Sequence, residues 1–216
     1  MKDLSLTQKF LLCILGDKGK ISSFHFEKNI CVAVCGVTEL FMDGIVKLDG
    51  KNLTVRKELP EEKRFLRPVF QLIERKQPVK FEKVIESFSV SITDKKMDEL
   101  IEGIEDSLEK AGCVRKEKGG LFGGKNVYIP DPKVVDCIIQ NIRAEILEEG
   151  RLSEEVVALT ALFHKSGDLA RYFSAYEKKD MKKRLKEIKE NPENEEIKRM
   201  MDYVDRLLML IVVAAT

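Results

Sequence analysis

The residues best placed to do chemistry lie between Lys110 and Pro130. Two β-prone runs, Gly112–Arg115 and Asn126–Ile129, flank a tip that reads Gly119-Gly120-Leu121-Phe122-Gly123-Gly124. Glycine frees the backbone at an entropic cost. A leucine and a phenylalanine on such a tip have no obvious core to enter. Around them stand Lys110, Arg115, Lys116, Lys118, Lys125 and Lys133, against Glu109, Glu117 and Asp131. An apolar tip in a basic collar suits an anionic membrane surface, where burial of the pair adds to electrostatic attraction. The same residues also fit a mobile surface loop, or a phenylalanine folded back onto its own domain.

Catalytic signatures are lacking. The chain has no GxxxxGK[ST] loop, no GxSxG elbow and no HExxH pair. Gly119–Lys125 superficially matches a phosphate cradle, but the run to Pro130 is strand-like, so no helix N-terminus follows to complete an anion site. Five cysteines, at 13, 31, 35, 113 and 137, form no disulfide framework. Cys31 and Cys35 share a helix face, yet a zinc site needs further ligands, and His25 and His164 stand at unsuitable spacing. Small buried residues account for all five thiols. The expectation is a protein with no enzyme activity, cofactor or metal.

The 216 residues suffice for one substantial core. Hydrophobic residues make up 44% and charged residues 35%, as in ordinary globular proteins. Net charge is +1, so any basic surface must be local. The start lacks the pattern of a signal peptide. Leu207–Ala215 is far shorter than the roughly 20 residues that span a bilayer, and reads as a buried C-terminal helix.

The elements that must position the tip are mostly helical. Periodicity predicts helices over Leu4–Leu15, with Ser5 as cap, and over Asn29–Met42, Pro60–Arg75, Lys80–Phe88 and Ser91–Ala111. Further helices are expected over Pro132–Glu148, Ser153–Phe163, Leu169–Tyr176, Asp180–Glu190 and Glu195–Ala215. Ile45–Leu48 and Leu53–Val55 make a first hairpin around Asp49-Gly50-Lys51-Asn52, and the glycine-rich segment makes a second. The fold class is a mostly α, single-domain helical bundle with two short β-hairpins, spanning residues 1–216.

Helix, helix and basic hairpin also describe a winged-helix nucleic-acid module. The candidate recognition helix, Met97–Ala111, carries Asp98, Glu99, Glu102, Glu105, Asp106 and Glu109, with only Lys110 opposing. Phosphates repel such a helix, so no nucleic-acid partner is expected.

Several segments, taken in order, resemble the Golgi phosphoprotein 3 family: LSLTQKFLLCIL, CVAVCGVTELFMDGIVKLDGKNLTV, FLRPVFQLIERKQPVKFEKVIESFS, LSEEVVALTALFHKSGDLARYF and the terminal LIVVAAT. The resemblance covers nearly the whole chain. It implies a mostly helical, cytosolic protein held peripherally on the Golgi membrane by phosphatidylinositol 4-phosphate. It also implies partners: the cytosolic tails of Golgi glycosyltransferases, retained through vesicle-coat interactions. Leu121 and Phe122 occupy the place of the family's membrane-contacting hairpin tip, with Arg115, Lys116, Lys118 and Lys125 as the surface collar. The family gathers the phosphate with a tryptophan and arginines. By the resemblance the tryptophan position falls at Phe24, the second-helix arginine at Ala33, and the arginines before the hairpin near Asp98 and Ile101. Lysine replaces arginine's bidentate fork poorly, and Lys28, Lys95 and Lys96, about one turn away, are the candidates for a shifted headgroup site beside Phe24. Leu4 already begins the first helix, so coat binding through a long N-terminal tail is not expected. Self-association stays open.

The reading is a peripheral membrane adaptor, with a winged-helix-like nucleic-acid binder or a soluble scaffold without lipid binding as alternatives. Full burial of Leu121 and Phe122 is worth on the order of 3–5 kcal/mol. Changing both to serine should abolish liposome flotation and leave thermal stability nearly unchanged. A loss of several kcal/mol in stability would place the pair in the core.

Overall fold

A computed structural model describes residues 3–21, 26–89, 95–119, 126–148, 152–191 and 195–214. The chain forms a mostly helical single domain with two small antiparallel hairpins. Helix α1, Leu6–Ile14, begins at Ser5 as expected: Ser5 Oγ accepts from the Gln8 amide, and Gln8 Oε1 accepts from the Ser5 amide at 2.9 Å. Helix α2, Phe26–Met42, is the centre of the bundle, and every residue from Ile30 to Leu40 is buried. It packs against α1 and against five helices named below, α3, α4, α5, α7 and α10. Gly36 permits one close approach, since a Cβ there would lie 3.3 Å from both Leu66 and Val69.

Strands β1, Val46–Asp49, and β2, Asn52–Val55, pair in the register Asp49↔Asn52, closed by Gly50 at φ 59°. A two-residue strand β3, Val79–Lys80, adds to the edge of β2 through Leu53↔Val79. The single helix expected over Pro60–Arg75 is broken. A 3-10 turn, Glu61–Leu66, precedes helix α3, Arg67–Lys76, because Pro68 has no amide to continue the ladder. Helix α4, Phe81–Ser89, and helix α5, Lys95–Lys110, follow. Strands β4, Val114–Lys118, and β5, Asn126–Pro130, form the second hairpin. Then come α6, Pro132–Leu147, and α7, Glu154–Ser166. The helix expected over Leu169–Tyr176 shortens to one turn, α8, Leu169–Tyr172, because Ser174 caps a new helix, α9, Ala175–Glu190. Helix α10, Glu195–Ala214, completes the chain.

Two sequence expectations are corrected. Cys137 is exposed on α6, so burial accounts for four of the five thiols. The C-terminal helix is not buried throughout: Leu207 is enclosed, but Met209 is 69% exposed.

One buried carboxylate ties three elements together. Glu39 of α2 is 2% exposed and accepts from the Thr7 amide at 2.7 Å, from Ser5 Oγ at 2.9 Å and from Lys63 Nζ at 3.0 Å. Lys63 also bonds Asp43. Replacing Glu39 by alanine leaves the buried Thr7 amide without its acceptor and Lys63 with Asp43 alone. Glu39→Ala should cost about 1–3 kcal/mol, measured by urea unfolding with unchanged m. A loss below about 1 kcal/mol would show that the network is dispensable.

Candidate functional site

The β4–β5 hairpin packs beside α5. Its register runs from Val114↔Pro130 to Lys118↔Asn126, and of β4 only Val114 is buried. Its base is held by β5, where Val127 and Tyr128 are buried. Gly19 at φ 62° lets the turn after α1 press on the hairpin: a Cβ there would meet the Tyr128 backbone at 2.7 Å. Leu121, Phe122 and Lys125, expected to form the apolar tip and part of its collar, lie outside the described residues, as does Phe24.

The rest of the collar is only partly free. Arg115 Nε donates to Glu117 at 2.7 Å. Lys116 turns back toward α5, donating to Asp106 at 3.2 Å and to Glu109 at 3.4 Å, with its ammonium 4.9 Å from the centroid of the Tyr128 ring. The Tyr128 hydroxyl donates to Asp106 at 2.7 Å. That bond first, and then Lys116, holds the Asp106 carboxyl below its ordinary range. Lys118 is exposed and forms no ion pair among the described residues.

Between the hairpin, α5 and the start of α2 lies a cleft of about 720 Å³. Helix α5 supplies Asp98, Ile101, Glu102, Glu105 and Asp106 to its wall, and Lys20 and Lys116 are its cations. Asn29 adds a buried Oδ1 that has no hydrogen-bond partner among the described residues. Asp98 and Ile101, the positions at which the resemblance puts arginines, thus line this cleft. Ala33, the third such position, is sealed inside α2. The lysines proposed to replace those arginines are not part of the wall. Lys28 Nζ lies 2.7 Å from Asp168 Oδ1, the side chains being 12% and 2% exposed. Lys95 and Lys96 are exposed at the first turn of α5. Sequence reasoning used the acidic face of α5 only to exclude nucleic acid. Nothing in the sequence signalled that the hairpin, Lys20 and Tyr128 fold over that face and make it a wall.

Burial first, and then the charges of Glu102 and Asp106, push the Glu105 carboxyl up to about 7 from 4.5. The folded chain therefore holds this proton more tightly than the unfolded chain. Stability from Glu105 is full below the unfolded value of 4.5 and is lost as pH rises through about 7. Glu105→Gln should remove this decline and add about 1–3 kcal/mol near pH 8, read from urea unfolding at acid and alkaline pH. A decline of unchanged slope in the variant would show that Glu105 is ordinarily ionised.

Among the described residues, no helix is long and apolar enough to cross a membrane, and no group of three or more His, Cys, Asp or Glu is placed to hold a metal ion. No curated protein matches the chain significantly. The profile of one protein family, described as Golgi phosphoprotein 3 (GPP34), matches residues 6–204, which takes in both hairpins, the cleft and the first half of α10. The chain belongs to the Golgi phosphoprotein 3 family, and that membership supports a general role as a peripheral adaptor of the Golgi membrane.

Proposed function

We propose that this protein docks on anionic membrane through the β4–β5 hairpin, with Leu121 and Phe122 entering the interface, and that it selects phosphatidylinositol 4-phosphate only weakly. The observation that carries this reading is the charge of the cleft. Asp98, Glu102 and Asp106 face two lysines there, Glu105 holding its proton up to about pH 7, and one of those lysines is already bound to Asp106 and Glu109. A phosphomonoester needs several converging cations, ideally arginine forks. This wall repels one. Residual attraction for phosphate is assigned to Lys95 and Lys96, since Lys28 is committed to Asp168. Membrane affinity then comes from the apolar tip plus Arg115, Lys118 and Lys125, each cation adding up to about 1 kcal/mol on an anionic surface.

The same cleft suits the other half of the adaptor role. Cytosolic segments bordering transmembrane helices are rich in Lys and Arg. Such segments, as in the cytosolic tails of Golgi glycosyltransferases, complement Asp98 and Glu102. Retention of those enzymes in coated vesicles follows from holding tail and bilayer together.

Flotation on vesicles of neutral lipid, phosphatidylserine, and phosphatidylinositol 4-phosphate at matched surface charge tests the membrane half. Equal binding to the two anionic compositions and none to neutral lipid is expected. A preference for the phosphoinositide of about tenfold or more, surviving alanine at Lys95 and Lys96, contradicts weak selectivity. Failure to float on any composition leaves the soluble-scaffold reading. For the tail half, Glu102→Lys should weaken binding of a Lys/Arg-rich tail peptide about tenfold without altering flotation on phosphatidylserine. Unchanged peptide affinity would remove the cleft from cargo binding.

A further inference from the structure

A second groove, of about 730 Å³, runs between α7, α9 and α10, and the membrane-adaptor reading makes no use of it. Its lining includes three methionines: Met181, which is buried, Met201, which is partly buried, and Met209, which stands 69% exposed on α10. Its cations are Lys165 from α7 and Lys178, Lys179 and Lys182 from α9, against the single carboxylate of Asp205. Asp205 is already paired with Lys189 at 3.4 Å. Elsewhere on α9 the lysines are neutralised, Lys183 by Glu187, Lys186 by Glu190 and Lys189 by Asp202. None of those three lines the groove. The four that do line it form no ion pair among the described residues.

We propose that this groove docks an amphipathic helix of a partner protein, with its apolar face on the methionines and acidic residues against the lysines. Charge complementarity selects the sign of the partner: an apolar floor edged by four unneutralised ammonium groups rejects a basic helix and favours one bearing Glu or Asp beside its apolar stripe. Lys178 and Lys182 stand one helical turn apart, a spacing matched by carboxylates at i and i+4 of a docked helix. Methionine side chains bend to fit varied apolar shapes and recur on surfaces that accept helices. Met209 carries the apolar floor out onto the open surface, which suits a helix laid along the groove better than an acyl chain needing enclosure. This site lies apart from the acidic cleft, whose partner is basic, so an adaptor built this way holds two partners of opposite charge.

The test uses the full chain with 13C-labelled methionine methyl groups. The probes are a synthetic helix of about five turns with leucine at i, i+4, i+7 and i+11 and glutamate on its flanks, the same peptide with lysine for glutamate, and laurate. The glutamate peptide should shift the methyl signals of Met181, Met201 and Met209 saturably and leave those of Met42 and Met97 in place. The lysine peptide should not. The double substitution K178E/K182E should weaken the glutamate peptide by at least about tenfold while thermal midpoint and flotation on phosphatidylserine vesicles stay unchanged. Equal shifts from both peptides, no shift from the glutamate peptide, or full affinity in K178E/K182E would overturn the proposal. Saturable shifts from laurate alone would also overturn it, and would assign the groove to a lipid.

Discussion

The complete burial of α2 between Ile30 and Leu40 is the constraint on which the rest of the molecule depends. A helix enclosed on every side must be apolar or internally satisfied, and this stretch carries one charged residue, Glu39, with three donors around it. The small side chains Cys31, Ala33, Cys35 and Gly36 let neighbouring helices approach closely. The same burial takes α2 out of surface chemistry. An arginine at position 33 would be a buried cation, and the chain has alanine there. The charge of the cleft is then set largely by α5, which offers carboxylates.

In the proposed reading, membrane attachment is consequently separated from headgroup recognition. The hairpin folds over α5 with four of the five residues of β4 exposed. It is braced at its base by Gly19 and Tyr128. Lys116 is drawn back to Asp106 and Glu109, which anchors the hairpin to α5 at the expense of the outward-facing charge. Adhesion of the proposed kind, by an apolar tip with a thin collar, would be weak and reversible, as a peripheral adaptor requires.

Most of the architecture was legible in local signals. Ser5 as a cap and Asp49-Gly50 as a turn each marked an element boundary through a specific backbone need, and the structure uses both. The misses came where neighbours at a distance decide. Apolar periodicity ran straight through Pro68, whose missing amide splits the segment into a 3-10 turn and a helix. Strand β3 exists only because β2 offers an edge. Ser174 and Glu177 form a capping box that was readable, but the apolar pattern through Tyr176 concealed it. Cys137 and Met209 look like core residues by type and are outside it. The acidic run of α5 was plain in the sequence. Its role as the wall of a cleft depended on a hairpin folding over it, which no spacing along the chain reveals.

The central claim is that residue 122 enters the bilayer without help from a phosphoinositide. The chain contains no tryptophan, so Phe122→Trp gives a single emitter at the tip against a silent background. Its emission on vesicles containing brominated lipid is the most direct measurement. The account predicts a blue shift and bromine quenching on phosphatidylserine vesicles, of the same size when phosphatidylinositol 4-phosphate is substituted at equal charge, and neither effect on neutral lipid. Emission that stays at its aqueous position while the protein floats with the vesicles, or that shifts only when the phosphoinositide is present, would contradict it.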